Sequence, residues 1–174
     1  GSYLGGFSVM SDAECEETLE ELKRYFQVME WLGTDLIRVG PGGPHAFLAQ
    51  DYHYAKAAYW MQRCGDLAEE HGIKLAMEIH NGSLVETVEG AERLLDMIRR
   101  DNVGVIHDAG NLYITGSDYG EESVKRLGEK IFHVHVKDEL RIEDESLPGS
   151  FRNLTIWGNE LFQQQMLGHG AVDH

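Results

Sequence analysis

The chain has 174 residues, the size of one domain, and with 42% hydrophobic and 26% charged residues it has the composition of a folded protein rather than a disordered one. Fifteen basic against 30 acidic residues give a formal net charge of −15, which argues against nucleic acid and against anionic membrane surfaces as principal partners. No apolar run reaches the roughly 20 residues of a membrane span and no secretory hydrophobic segment opens the chain, while Cys15 and Cys64 fall on predicted helix stripes as buried thiols, so the expected compartment is the cytoplasm.

Ser11 and Glu14 form a capping-box pattern, and Cys15, Leu19, Leu22, Phe26 and Met29 recur behind it every three or four residues. That spacing predicts a helix ending near Leu32-Gly33. Leu36-Ile37-Arg38-Val39 reads as a short buried strand, and Gly40-Pro41-Gly42-Gly43-Pro44 as a loop. A second helix is predicted over 54–70 with Ala58, Met61, Cys64 and Ala68 inward, then a strand over 73–79. Ser83 and Glu86 repeat the capping-box spacing at the start of a third helix marked by Leu84, Val88, Ala91, Leu95 and Ile98. A strand over 103–107, a short helix over 121–129 and a strand over 131–136 follow, and a further strand is predicted at 4–9. Beyond Glu139 the periodicity fades. Glu143-Asp144-Glu145 reads as a solvated charge run and Pro148-Gly149-Ser150 as a turn, so 139–174 is predicted to be loop-rich.

Apolar strands separated by helices imply a parallel sheet with right-handed crossovers. Such a sheet closes either as an open doubly wound fold or as a (β/α)₈ barrel. No Gly-x-Gly-x-x-Gly follows a strand, as the first would lead one to expect. The predicted fold class is therefore α/β, an incomplete TIM-type barrel with about five of the eight strand–helix units. It forms one partial domain over 1–174, its β/α core over 3–138.

In parallel α/β folds the chemistry gathers at the carboxyl ends of the strands. Here those ends read Met77-Glu78-Ile79-His80, Ile106-His107-Asp108 and His133-Val134-His135-Val136-Lys137-Asp138, which brings Glu78, Asp108 and His135 to one rim. A carboxylate in an apolar strand is costly unless something neutralises it. A divalent cation would do so, and two carboxylates with one imidazole suit Mn²⁺, Mg²⁺, Co²⁺ or Zn²⁺. Taken singly, the same residues also fit ion pairs and hydrogen-bonded core positions, and the pattern alone leaves both readings open.

Leu75-Ala76-Met77-Glu78-Ile79-His80, Val103-Gly104-Val105-Ile106-His107-Asp108-Ala109-Gly110-Asn111 and His133-Val134-His135-Val136-Lys137-Asp138 resemble the xylose isomerase-like TIM-barrel superfamily. Its members include sugar-phosphate isomerases and epimerases, ketose 3-epimerases, inosose dehydratases and the endonuclease IV repair enzymes. The resemblance runs from about residue 4 to residue 138 and resumes at Leu167-Gly168-His169-Gly170-Ala171-Val172-Asp173. It implies that Glu78, Asp108 and His135 hold one divalent metal ion, Mn²⁺ first, with Mg²⁺, Co²⁺ and Zn²⁺ as alternatives. It further implies Glu78 as the catalytic acid/base, and Arg141, Asn111, His80 and Lys137 as substrate-binding residues. Asp138 is expected beside the ligands or facing substrate, and His133 as a packing residue. Asn111 stands where the two-metal nucleases have a histidine, which favours a one-metal sugar enzyme. His169 occupies a position often acidic in relatives. The family's fourth ligand, a glutamate on the last barrel strand, would fall beyond His174, and the first strand and most of the second would precede the chain, so the sequence reads as the middle of a barrel.

The implied activity is that of a sugar isomerase or epimerase moving a proton next to a carbonyl through a cis-enediolate, on a small sugar or polyol substrate. Two alternatives stand beside it: an inosose-dehydratase-like lyase, and an inactive partial-barrel module that forms a homo-oligomer through its exposed sheet edges.

Overall fold

Residues 2–174 are described by a computed structural model. Four strands, β1 (Leu36–Arg38), β2 (Lys74–Glu78), β3 (Val103–Asp108) and β4 (Ile131–His135), lie side by side in that order and all parallel. Helices α1 (Asp12–Leu32), α2 (Asp51–Glu69), α3 (Val88–Ile98), α4 (Ala109–Thr115) and α5 (Glu121–Leu127) alternate with them. This is the arc of a TIM-type barrel, with each crossover helix covering the sheet's outer face.

Local chemistry accounts for the elements. The Ser11 hydroxyl accepts from the Glu14 amide (3.3 Å), and the Glu14 carboxylate accepts from the Ser11 amide (2.7 Å), so α1 starts on a complete capping box. Its stripe of Cys15, Leu19, Leu22, Phe26 and Met29 is buried. β3 is buried at every position, covered on both faces. The core under the sheet runs from Phe7 through Met61, Leu75, Met77 and Leu94 to Val105, and each such side chain contributes roughly 1.5–3 kcal/mol by leaving water. Cys15 and Cys64 are buried free thiols, and burial pushes Cys64 up to about 12. A Cβ at Gly104 would strike the Lys130 carbonyl and the Phe132 ring, where β3 and β4 approach across a register shift between Val105 and Ile106.

Four expectations are corrected. Residues 4–9 form a turn with one parallel bridge, Gly5 to Gly40, in place of a fifth strand, because Phe7 drops into the core. The third helix starts at Val88, capped by Thr87, whose hydroxyl accepts from the Gly90 amide at 3.1 Å. The Ser83–Glu86 box does not form, since Glu86 is drawn to the amides of Ala46 and Gly82. α4 was not anticipated; its N-cap is Asp108 itself, which accepts from the Asn111 amide at 2.9 Å.

The fourth concerns 139–174. Instead of loops, β5 (Asp138–Ile142), β6 (Ser150–Thr155) and β7 (Gly158–Gln165) form an antiparallel sheet in the order β5-β7-β6. It packs on α4 through Phe162, whose ring meets Tyr113 edge-on, and through Trp157, which fills the space beside Gly116. Asp138 then fastens the tail: its carboxylate accepts from the amides of Gly168 (2.9 Å), Gly170 (2.8 Å) and Val172 (3.0 Å).

Candidate metal centre

Three neighbouring strands end on ionisable residues, and the register brings them level: Glu78 pairs with Ile106 between β2 and β3, and Asp108 with His135 between β3 and β4. Glu78, Asp108 and His135 each offer one donor atom, and these atoms lie within 4.8 Å of one another. His135 Nδ1 stands 3.0 Å from Glu78 Oε1 and 3.6 Å from Asp108 Oδ2.

Each carboxylate is half engaged by the protein. Glu78 Oε2 accepts from Arg38 Nε at 2.5 Å, and Asp108 Oδ1 accepts from the Asn111 amide at 2.9 Å. The remaining oxygen of each faces the imidazole. Ligands about 2.1 Å from one ion stand roughly 3.0 Å apart when adjacent and about 4.2 Å apart when opposite, so Glu78 Oε1, Asp108 Oδ2 and His135 Nδ1, the first and last now sharing a hydrogen bond, have the spacing of a coordination sphere. The donor set and its geometry fit a divalent cation.

The two acids are tuned in opposite directions. Burial pushes Glu78 up, but the Arg38 guanidinium, His135 and His80 together outweigh it and hold the carboxyl below its ordinary value. Burial dominates at Asp108 and raises it, against the Asn111 amide and Lys137, with the Glu78 charge adding to the rise.

The other residues singled out in the sequence part company here. Lys137 reaches the centre, with Nζ donating to Asn111 Oδ1 (2.6 Å) and lying 3.8 Å from Asp108 Oδ2 and 3.9 Å from Glu139 Oε1. Asn111 is buried and engaged at both ends, since its Nδ2 donates to the Ile79 carbonyl at 2.8 Å. It braces β2, α4 and Lys137 rather than presenting a free amide to substrate. His80 is exposed, its Nδ1 2.9 Å from the Asn81 carbonyl, and it borders the same groove as Glu78.

Arg141 does not join the group. It sits on β5, 3.1 Å from Glu160 Oε1, with its guanidinium over the rings of Trp157 and Phe162. Asp138 faces the tail rather than the ligands, and His133 is exposed rather than packed, its ring edge-on to His135 at 5.5 Å. Two participants escaped the sequence reading. Arg38 lies in an otherwise apolar strand, and that placement was itself a signal. Glu139, buried beside Lys137, carried none, because it stands where the strand pattern had stopped.

Comparison with known proteins agrees with this fold. The family described as xylose isomerase-like TIM barrel matches residues 1–174. An inosose isomerase of Bacillus licheniformis is 29% identical over 142 residues, covering 76% of this chain and 51% of that protein. An inosose dehydratase of Clostridium perfringens is 30% identical over 92 residues, covering 53% of this chain and 31% of that protein. A crystal structure of the IOLI protein with a bound zinc atom superposes with a TM-score of 0.76 at 24% identity, over 98% of this chain and 58% of that one. The chain thus spans about half or less of the length of the curated relatives it matches. Since the family match extends over all 174 residues, the chain belongs to the xylose isomerase-like TIM barrel family.

Proposed function

We propose that this chain carries the metal ligands and an acid/base of an isomerase or epimerase that moves a proton next to the carbonyl of a small sugar or cyclic polyol ketone. The observation that carries the reading is the division of labour within Glu78 and Asp108: one oxygen of each is tied back, and the other converges with His135. Glu78, Asp108 and His135 would hold one divalent ion, Mn²⁺ first, which supplies the positive charge that makes a neighbouring carbonyl electron-poor.

The rest falls to the chain's own side chains. Glu78, kept ionised by Arg38, would take the proton from the carbon next to the carbonyl and return it on the same face to the neighbouring carbon; inversion at the first carbon would need a second acid/base group on the opposite face, so Glu78 is one of two in an epimerisation. Lys137, held among three acceptors, and His80, exposed at the groove, would serve substrate oxygens, a role supported by their nearness to the ligands and the groove. Arg141 has no part in this reading, because its guanidinium is committed to Glu160 and two aromatic rings. The matched relatives include both an inosose isomerase and an inosose dehydratase, which favours a second reading with the same first step. In a dehydratase the electron pair released by that step would expel a hydroxide instead of recapturing a proton.

The test is calorimetric titration of the full chain with Mn²⁺ and Zn²⁺. One ion should bind per chain, and Glu78→Gln should weaken it by roughly 100-fold or more, about 2.7 kcal/mol, with unchanged circular dichroism. No binding, or equal binding by the variant, would refute the assignment. Deuterium uptake from solvent into an inosose, read by NMR on the metal-loaded chain, then reports the proton transfer itself.

A further inference from the structure

Beside the three ligands lies a second group of oxygens, and one ammonium sits among them. Lys137 Nζ donates to Asn111 Oδ1 at 2.6 Å and lies 3.8 Å from Asp108 Oδ2 and 3.9 Å from Glu139 Oε1. Asn111 cannot turn its nitrogen to the lysine, because Nδ2 is spent on the Ile79 carbonyl at 2.8 Å. All three neighbours therefore present oxygen, and two of them are carboxylates. Asp108, Asn111 and Glu139 are 1%, 1% and 2% exposed, so water does little to neutralise the group.

The chain is shaped to bring the ammonium here. A Cβ on Gly110 would stand 2.6 Å from Lys137 Cγ and 2.9 Å from its Cε, so the lysine stem crosses α4 at a residue that leaves room for it. Glu139 comes from β5, where it pairs with Gln164 of β7. Its Oε2 is buried and, among the described residues, has no hydrogen-bond partner. Such an oxygen is costly and calls for an explanation. Burial holds the Glu139 carboxyl above its ordinary value although Lys137 pulls it down. Among the described residues no other lysine or arginine forms an ion pair with Glu139. One ammonium therefore compensates this acid only in part.

We propose that Asp108, Asn111 and Glu139 form a latent second divalent-cation site, and that the Lys137 ammonium stands in for its ion. The proposal rests on the metal-centre reading above, because the two positions share one atom. Asp108 Oδ2 lies 3.6 Å from His135 Nδ1 and 3.8 Å from Lys137 Nζ. Two carboxylates and a carboxamide oxygen are hard donors and suit Mg²⁺ or Mn²⁺. Such an ion binds its oxygens at about 2.1 Å, so acceptors now spread around an ammonium would draw inward once it was gone. With Lys137 in place the second ion is shut out twice, by the space the ammonium fills and by the repulsion between like charges in a buried setting. The centre then consists of one exchangeable ion and one fixed cation, and Lys137 sets that stoichiometry.

The experiment counts ions in the full chain. The unaltered protein, Lys137→Met and the double variant Lys137→Met/Glu139→Gln are titrated with Mn²⁺ by calorimetry, and electron paramagnetic resonance is recorded at saturation. The expected counts are one, two and one. Two ions joined through Asp108 are exchange-coupled, so in Lys137→Met the second should weaken the six-line signal per ion instead of adding to it. Lys137→Gln, which keeps a polar chain end, should also bind two and replaces Lys137→Met if the latter does not fold by circular dichroism. Two ions in the unaltered chain, or one in a folded lysine variant, overturn the proposal and leave the centre of Glu78, Asp108 and His135 standing. A second ion that is uncoupled, or that persists when Glu139→Gln is added, sits elsewhere on this acidic chain and overturns it equally. An unaltered chain that binds no Mn²⁺ removes the first centre, and the second site falls with it.

Discussion

β3 is buried at all six of its positions, whereas β7 buries only the adjacent Leu161 and Phe162 among eight. The first is a central strand of a parallel sheet with helices over it and reads as an unbroken apolar run. The second belongs to an antiparallel sheet whose strands are mostly only partly buried, and its segment Gln163-Gln164-Gln165 carries no apolar signal at all. Phe162 anchors that second sheet, fully buried, 6.0 Å from the Phe151 ring and 6.5 Å from that of Tyr113, yet it is not part of the contiguous core under β1–β4. Two layers with separate cores open separately. Phe162→Ala should therefore cost about 3–5 kcal/mol locally. Hydrogen exchange is the measurement: amides of 138–165 should lose protection while those of β2 and β3 keep theirs. Equal loss throughout would show a single cooperative unit and erase the distinction.

The same contrast explains what could be read in advance. α1, α2 and the four parallel strands were legible because capping residues, helical stripes and apolar runs all express the same burial. Glu78, Asp108 and His135 stood out because charge in such strands is costly and calls for a partner. Arg141 was misplaced because its spacing from His135 said nothing of the hairpin that turns it toward Glu160. Glu86 looked like a helix cap, and only the folded loop after β1 shows what draws it away. Asp138 follows so closely on the ligands that its partners, 30 to 34 residues on, were invisible.

Asp138 joins the two layers to the tail, and acid can dissolve that joint. Burial raises its carboxyl, but four backbone amides, from Gly170, Val172, Gly168 and Glu139, outweigh burial and hold it below the ordinary 3.8. A group whose folded value lies below its unfolded one contributes stability that is complete above the unfolded value. That contribution is lost as pH falls through the folded value. Below about pH 4 the amides of 168–172 should lose exchange protection progressively, before the parallel sheet does. Asp138→Asn should show the frayed tail already at neutral pH, with little further change on acidification. A tail that stays protected in the variant would mean that other contacts hold it.

The two arginines give the finest comparison. Arg38 and Arg141 each touch one glutamate, but Arg38 holds the free rotation of a ligand, whereas Arg141 braces a half-exposed sheet. Replacing either by lysine keeps the charge, so any change in metal affinity reports geometry and not field strength. Arg38→Lys removes the Nε donor that fixes Glu78 Oε2, and Mn²⁺ binding by calorimetry should weaken roughly tenfold, the effect typical of removing a group that orients a ligand. Arg141→Lys should leave Mn²⁺ affinity within about twofold. It should lower stability by about 0.5–1 kcal/mol, through the lost stacking on Trp157 and Phe162. Were Arg141→Lys to weaken an inosose with the sheet intact by hydrogen exchange, the hairpin would have to be assigned to the substrate groove, and the separation between framework and centre would move from β4 to β7.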